Sequence, residues 1–135
     1  MNDGASDILA IIALTARLAQ AADDRDVDGY AACLATEVDG VARSSYAAAS
    51  IERVGGMSWT HHQLMNHVVT VSDGRAVAAV DVVVDMALAR PGGSRAARIG
   101  GRYDLSLVKT DGSWFVEHRI MHRRYVQGDP DLAGG

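Results

Sequence analysis

A carboxylate and an imidazole side chain occur where they could form a pair for proton transfer. Asp23 and Asp24 end an apolar stretch, and His61 and His62 precede a run that is rich in valine. A carboxylate orients an imidazole and raises its basicity, and a histidine with a pKa of about 7 moves protons at neutral pH. An Asp–His pair can therefore perform acid–base chemistry without a metal. The structural alternative is that Asp23 caps the following turn while the histidines fill the core or an interface.

Motifs for other chemistries are absent from the sequence. It contains no P-loop, dinucleotide-binding fingerprint, HExxH or GxSxG pattern. Adjacent residues of a strand point to opposite sides, so His61 and His62 cannot both bind one ion. No spacing of cysteine or carboxylate residues supports a zinc site. We therefore predict that the protein uses no metal and no cofactor.

The charge of the chain argues against nucleic acid as a partner. The formal net charge is −4 over 135 residues, whereas nucleic-acid binding needs a concentrated basic surface. One basic cluster spans residues 118–124, and alternation along a strand would divide its charges between two faces. We predict no nucleic-acid partner.

Cysteine content and the N-terminal pattern bear on the compartment. Cys33 is the only cysteine, so no internal disulfide forms and a reducing compartment is favoured. The start of the chain lacks the cationic region of a secretory signal. The apolar stretch 8–22 is short and contains Arg17 and Gln20, so we do not expect it to span a membrane. We predict a cytoplasmic protein without a membrane partner.

Helical patterns occupy the first half of the chain and extended patterns the second. Apolar residues at helical spacing predict helices, and runs of β-branched and aromatic residues predict strands. The predicted helices are 6–23, 28–35 and 45–54, with a short strand at 37–42. The predicted strands of the second half include 68–71, 80–84, 103–108 and 114–116.

Short turns join these later strands, so neighbouring strands must be antiparallel. The turns are centred on Asp73-Gly74, Gly92-Gly93 and Asp111-Gly112, and Gly100-Gly101 marks a bend. Helices that precede a long meander pack on one of its faces. We predict an α+β fold of one domain, residues 1–135, with frayed termini at 1–5 and 128–135. In this cone-shaped domain, N-terminal helices pack on a strongly curved antiparallel sheet of four to six strands that encloses a pocket.

Pairing across the turns predicts which side chains face the helices and the pocket. The other face is too apolar for free solvation and too charged for a core, which favours a homodimer or homotrimer through that face. The predicted pocket side carries Met65, Val69, Val82, Val84, Leu88, Ile99, Tyr103, Leu105, Leu107, Trp114, Val116 and Ile120. The predicted outer side carries Asp81, Asp85, Arg102, Asp104, Glu117, Arg119 and Arg123, with Val77, Val83 and Met121.

The order of several local patterns is similar to that of a known family. The stretch 21–28 has a helix-ending Asp followed by a second Asp three residues later, and 62–66 reads His-x-x-x-Asn. Gly101-Arg102-Tyr103 and the stretch 111–116 follow at matching places. Together these patterns resemble the SnoaL-like branch of the nuclear transport factor 2-like superfamily, which includes scytalone dehydratases and polyketide cyclases. The resemblance implies a cone-shaped fold with a pocket.

The resemblance also implies a reaction and residues to perform it. Lyases of the superfamily share an Asp–His dyad, and the matching positions are Asp23 and His62. His62 would remove a proton next to an electron-withdrawing group while Asp23 holds it, and water or halide would leave. The substrate would be a hydrophobic, cyclic, polyketide- or terpenoid-like molecule, and isomerisation or cyclisation are alternatives to elimination. The predicted substrate-binding residues are Tyr103, Trp59, Tyr46, Asn66, His122 and His61.

Two questions stay open at the level of sequence. Simple alternation from the Asp73-Gly74 turn places His61 on the pocket side and His62 on the other side. Either a β-bulge lies between His62 and Val69, or His61 is the pocket residue. The second question is whether the domain is catalytic at all, because the alternative is a small-molecule-binding or assembly module with the same fold. That alternative predicts either a filled pocket or an Asp23 and His62 that are out of hydrogen-bond reach.

Overall fold

Helices cover one face of a curved antiparallel sheet in the computed structural model, which describes residues 4–133. The helices are α1 (Ala5–Asp23), α2 (Val27–Ala31) and α3 (Arg43–Gly55). The four-stranded sheet has the order β3 (Trp59–Ser72), β4 (Arg75–Arg90), β5 (Gly93–Thr110) and β6 (Ser113–Gly128). Two short strands, β1 (Glu37–Val38) and β2 (Val41–Ala42), pair separately. The predicted α+β fold is confirmed. The four long strands extend well beyond the residues that the sequence patterns predicted for them.

Helix α1 packs an apolar stripe against the sheet. Ile11, Leu14 and Leu18 are each no more than 3% exposed, and burying such a side chain stabilises the fold by about 1.5–3 kcal/mol. The start of the helix is tied to the sheet by Asp7, whose Oδ1 accepts hydrogen bonds from Trp114 Nε1 at 3.0 Å and Lys109 Nζ at 2.9 Å. These contacts hold the start and the middle of α1 against the sheet.

The length and apolar composition of α1 also meet the requirements for a membrane span, which differs from the expectation for residues 8–22. The helix has 19 residues, and 44% of its apolar window is buried inside the protein. The core helix of a globular domain satisfies the same criterion. Packing against the sheet therefore accounts for its composition.

Two-residue turns set the register of the meander. Ser72 pairs with Arg75, and Asp73 and Gly74 between them both have positive φ, the conformation of a type I′ turn. The Asp111-Gly112 turn has the same geometry. The middle turn is centred on Pro91-Gly92, one residue earlier than expected. The resulting shift of pairing is two residues, so the faces of β4 and β5 are as predicted.

Strand β3 contains a bulge between Met65 and Val68. Asn66 adopts φ +56 there, and the extra residue lets both halves of the strand keep the same face toward the helices. His62 consequently pairs with Val84 on the concave face. This is the bulge between His62 and Val69 on which a pocket-facing His62 depended. Met65 lies opposite Asp81 instead of Val82, so its predicted place on the pocket side is wrong.

Strand β6 contains two further irregularities that the turns did not reveal. Its register shifts opposite Ser106/Leu107 and again opposite Gly100/Gly101. Beyond the first shift, Arg119, Met121 and Arg123 line the concave side, and Ile120 is 44% exposed. The predicted faces of these four residues are therefore reversed, because the extra residue at the first shift moves the side chains that follow it in β6 to the opposite side.

The C-terminal segment differs from the frayed tail that was expected from 128 onward. Leu132 and Ala133 are 7% and 5% exposed and pack on the apolar cluster around Val82 and Ile99. Arg95 forms an ion pair with Asp129. Packing and charge together hold the segment against the sheet. At the other end α1 begins at Ala5, while the positions 1–3 and 134–135 of the predicted frayed ends lie outside the described residues.

Candidate active site

Asp23 and His62 are directly bonded where the end of α1 meets β3. Asp23 Oδ1 lies 2.6 Å from His62 Nδ1, and the two side chains are 16% and 11% exposed. The His62 backbone amide also donates to Asp23 Oδ2 at 2.9 Å. Because an ionised carboxylate only accepts hydrogen bonds, Nδ1 carries the proton in the neutral imidazole and Nε2 then holds a lone pair. His62 lines the cavity, so the arrangement places a basic nitrogen there.

A polar network behind the pair fixes the position of the carboxylate. Thr60 Oγ1 donates to Asp23 Oδ1 at 3.1 Å, and Arg25 Nη1 donates to Thr60 Oγ1 at 2.9 Å. Thr60 is 6% exposed. The carboxylate therefore has a partner besides His62, and its orientation is defined before any ligand binds.

Arg25 joins the ends of two helices at this place. It has φ +57 and follows the C-cap of α1, where the Asp26 amide bonds to the Ala21 carbonyl as in a Schellman motif. Its guanidinium donates to the carbonyl of Asp23 at 3.0 Å and to that of Val54, in α3, at 2.9 Å. One cation thus satisfies free carbonyl groups of both helix ends, which are the negative ends of their dipoles.

The cavity has a volume of about 380 Å³ and lies between the helices, the concave face of the sheet and the C-terminal segment. This is within the usual range for small-molecule sites, about 300–1,000 Å³. Its apolar lining residues are Ala22, Val54, Met57, Val84, Met86, Ile99, Met121, Leu132 and Ala133. Its polar and aromatic lining residues are Tyr30, Ser50, Arg53, Thr60, His62, Tyr103, Arg119 and Arg123.

Arg119 lies among three tyrosines at the wall of this cavity. Its Nη1 donates to the Tyr30 hydroxyl at 2.6 Å. Its guanidinium carbon is 5.4 Å from the ring centroid of Tyr46 and 5.2 Å from that of Tyr103. Both distances are in the range of cation–π contact. The aromatic rings therefore compensate in part for the removal of this charge from water.

Tyr103 offers a hydroxyl group to the cavity. Burial raises the pKa of Tyr103, and the nearby Arg119 charge offsets only part of that effect. The hydroxyl is therefore protonated at neutral pH and can donate a hydrogen bond. Among the described residues, none forms a hydrogen bond with it.

Several residues predicted to bind substrate are not in the cavity. Tyr103 lines it, and Tyr46 lies one layer behind, against Arg119. Trp59 is 51% exposed at the start of β3. The His61 side chain is 62% exposed, on the opposite side of the strand from His62, with Nδ1 3.9 Å from Asp23 Oδ2. The expected roles of Trp59 and His61 as pocket residues are therefore wrong, because strand alternation directs them outward.

Asn66 and His122 lie on the outer face of the sheet, which corrects two more predictions. Asn66 Nδ2 donates to Asp81 Oδ2 at 2.9 Å, because the bulge turns the residue away from the helices. His122 Nε2 lies 2.8 Å from Asp104 Oδ2, and both side chains are more than half exposed. The register shift in β6 is the cause of the second error.

The described histidine and acidic side chains do not form a metal site. Within residues 4–133, no group of three or more His, Cys, Asp or Glu side chains is arranged to hold an ion. The acidic and histidine side chains of the outer face instead form separate pairs, such as Asp104 with His122.

Sequence reasoning missed Arg25 and Arg119, as well as Thr60 and Tyr30 that bond to the site. Arg25 lies inside the stretch 21–28, and its place after a helix end was a usable signal, since a positive-φ position there is common. Arg119 had no such signal, because its direction depends on a bulge whose position the local sequence does not mark.

The chain is similar to a known domain family and to several solved structures. The model of the SnoaL-like domain matches residues 3–120. A search of curated proteins found no match. Among solved structures, the Kfla4162 protein of Kribbella flavida is 27% identical, with a TM-score of 0.87 over 98% of this chain and 100% of that one.

Two similar structures carry the names of enzymes. A putative scytalone dehydratase from Novosphingobium aromaticivorans is 19% identical, with a TM-score of 0.82 over 94% of this chain and 91% of that one. A hexachlorocyclohexane dehydrochlorinase from Novosphingobium barchaimii is 17% identical, with a TM-score of 0.77 over 91% and 90% of the two chains. At these identities the likeness shows a common fold.

Proposed function

This chain belongs to the SnoaL-like domain family, and from that premise we propose that it is a cofactor-independent acid–base enzyme, a lyase or isomerase of small cyclic molecules. The observation that carries the proposal is the 2.6 Å contact between Asp23 Oδ1 and His62 Nδ1 at the wall of a cavity. The family includes many chemistries on one fold, so the argument depends on this site and not on the fold.

The proposed step is removal of a proton from carbon by His62. Nε2 takes the proton from a C–H bond next to an electron-withdrawing group, and the Asp23 carboxylate stabilises the imidazolium that forms. The electron pair of the C–H bond moves toward the electron-withdrawing group. It then either expels a leaving group from the neighbouring carbon, which is elimination, or takes a proton at another carbon, which is isomerisation.

The names of the similar structures favour elimination. By their names, a scytalone dehydratase releases water and a dehydrochlorinase releases chloride. Both eliminations can start with removal of a proton from carbon by a base. The apolar part of the cavity supports a hydrophobic ring system as the body of the substrate. Tyr103, whose hydroxyl is protonated, is the residue that would donate a proton or hydrogen bond to the departing or charged oxygen.

A test uses a small bicyclic β-hydroxy ketone, 3-hydroxy-1-tetralone. Loss of water from this ketone yields 1-naphthol, whose fluorescence reports the rate. In D2O, NMR also reports exchange of the protons next to the carbonyl for a panel of cyclic ketones, even when no group leaves. We expect the protein to catalyse exchange or elimination, and His62→Gln to lower the rate by about 10²–10⁴-fold.

The matched control is His122→Gln, on the outer face of the sheet. It removes an exposed histidine that is paired with Asp104, so the rate should remain that of the wild type. Equal rates for the wild type and His62→Gln, or no exchange in any ketone of the panel, would count against the proposal.

The alternative of a non-catalytic module is less well supported. It predicted a filled pocket or a separated Asp23 and His62, whereas the cavity measures about 380 Å³ and the two side chains are hydrogen-bonded. Location in the cytoplasm stays a prediction, based on the single cysteine.

Self-association through the outer face of the sheet is part of the proposal. Val68, Val77 and Ile120 are 68%, 57% and 44% exposed there, beside charge pairs such as Asp81 with Arg102. A second copy of the chain would cover these side chains. Sedimentation analysis of the wild type and of Val77→Asp tests this, because the variant should dissociate. A monomeric wild type would contradict it.

A further inference from the structure

The charge of Arg119 has no anionic partner in the described part of the chain. No carboxylate oxygen lies within 4.0 Å of its guanidinium. Asp39, which accepts a bond from the Arg119 backbone amide at 3.4 Å, pairs with His118 instead. A guanidinium carries five N–H donors, and the hydroxyl groups of Tyr30 and Tyr46 interact with only some of them. Arg119 thus brings a partly buried cation with spare donors to the cavity wall.

The cavity as a whole is positive although the protein is acidic. Arg53, Arg119 and Arg123 line it, and no Asp or Glu is among its described lining residues. Asp23 lies behind His62 and its oxygens accept bonds from His62 and Thr60. The chain as a whole has a formal net charge of −4. Like charges gathered around a concave, partly apolar site focus the potential and raise the local concentration of anions.

We propose that the natural ligand of this cavity carries a carboxylate on an apolar ring body and that Arg119 binds the carboxylate. This rests on the proposed function, because it assigns the substrate class of the same site. The planar fork of a guanidinium matches the two oxygens of a carboxylate. Arg53 and Arg123 are more exposed than Arg119. Arg119 is therefore the one arginine of the inner wall among the described residues, and we expect it to bind a single anionic group.

The neighbours of Arg119 prepare it for this role. The Tyr30 hydroxyl and the faces of Tyr46 and Tyr103 hold the guanidinium in one orientation. Tyr103 adds a neutral donor at the same wall. A carboxylate bound there fixes one end of the ligand, and the apolar wall formed by residues such as Met86 and Ile99 receives its ring. The bound ligand would then present its C–H bond to His62 from a fixed position.

Calorimetric titration with two ligands of one shape tests the assignment. The ligands are 2-naphthoate and its neutral analogue 2-naphthamide. We expect the wild type to bind 2-naphthoate about tenfold or more tightly, since a hydrogen bond to a charged group is worth about 1.5–3 kcal/mol. Arg119→Gln should remove this preference, and Arg119→Lys should retain part of it, because the charge remains without the fork.

The controls separate charge at this site from charge elsewhere and from folding. Arg75→Gln removes an arginine of the outer face that is paired with Glu117, and the preference should persist. Tyr30→Phe keeps the cation but removes the hydroxyl that holds it, so a smaller loss is expected. Thermal unfolding of each variant shows whether it is folded. Equal binding of both ligands by the wild type, no binding of either, or an unchanged preference in a folded Arg119→Gln would overturn the assignment.

Two further experiments distinguish the carboxylate ligand from a phosphate ligand and from the catalytic proposal. Tighter binding of 2-naphthyl phosphate than of 2-naphthoate would overturn the carboxylate in favour of a phosphate. His62→Gln should keep the preference for 2-naphthoate. If the wild type prefers the carboxylate but catalyses no proton exchange, only the catalytic proposal is refuted. Exchange that depends on His62 in neutral ketones, with no preference for the carboxylate, would refute only the ligand assignment.

Discussion

The Asp23 carboxylate holds His62 at two points, the ring Nδ1 and the backbone amide of the same residue. The first contact sets which ring nitrogen carries the proton, and the second fixes the start of β3 against the end of α1. One side chain therefore determines both the chemistry of the imidazole and its position. Variants of Asp23 can separate the two effects.

Asp23→Asn should impair proton transfer more than folding. The amide oxygen can still accept from the His62 backbone amide, but it no longer stabilises an imidazolium. We expect the catalytic rate constant to fall by about 10²–10⁴-fold with little change in KM. Asp23→Ala should in addition lower the free energy of unfolding by about 1–3 kcal/mol, because the partners of the carboxylate lose their acceptor. Kinetics and urea unfolding measure the two quantities, and a normal rate in Asp23→Asn would contradict the pairing.

Arg25→Gly and Arg25→Ala should differ in stability. Both remove the guanidinium from the carbonyls of Asp23 and Val54, which should cost about 1–3 kcal/mol. Glycine adopts the observed φ of +57 readily, whereas alanine does so at an additional cost of about 1 kcal/mol. Urea unfolding should therefore rank the wild type above Arg25→Gly and that variant above Arg25→Ala. The opposite order of the two variants would refute this explanation.

Asn66→Val should destabilise the bulge of β3, and Asn66→Gly should not do so to the same extent. Position 66 has φ +56, which is a strained region for a β-branched residue. We expect Asn66→Val to unfold at lower temperature than Asn66→Gly, by the equivalent of about 1–3 kcal/mol. Both variants lose the bond to Asp81, so their difference reports the backbone alone. Equal melting temperatures would show that the bulge has moved.

His67 should make the protein less stable in mild acid. Its Nε2 lies 2.7 Å from Oγ1 of Thr15, which is 1% exposed, and burial lowers the pKa of His67 below the ordinary value of 6.5. As the pH falls through 6.5, the unfolded chain takes up the proton first, so stability present above that pH is lost.

Replacement of His67 should reduce this pH dependence. His67→Gln removes the titrating group while keeping a donor for Thr15, so its free energy of unfolding should fall less between about pH 7 and about pH 5. His122→Gln, at an exposed position, is the control and should behave as the wild type. Denaturant unfolding at a series of pH values provides the measurement. Parallel curves for the wild type and His67→Gln would contradict the effect.

Patterns confined to one element were sufficient for much of the fold. The stripe that contains Ile11, Leu14 and Leu18 predicted α1, and the Asp73-Gly74 and Asp111-Gly112 turns predicted the hairpins. These features depend on interactions among residues close in the chain. The approach of Asp23 to a histidine followed from the order of the elements together with the family resemblance.

Features that depend on an extra residue in a strand could not be predicted with equal certainty. Alternation predicted a bulge only as a condition for an inward His62, and it gave no sign of the bulges in β6. Ile120 was therefore predicted on the pocket side and Arg119 on the outer side, which is the reverse of what the structure has. The packing of Leu132 was missed for another reason. Two apolar residues in a short segment do not indicate whether the folded protein has an apolar surface on which they can pack.

The bonds of Arg25 have a consequence for how a ligand reaches the cavity. The ends of α1 and α3 share one guanidinium, so the two helices cannot separate without breaking several hydrogen bonds at once. The C-terminal segment with Leu132 forms another part of the wall and is held by the contacts of Arg123 with Ala133 and of Arg95 with Asp129. Ligands and products should therefore enter and leave the cavity without separation of α1 from α3.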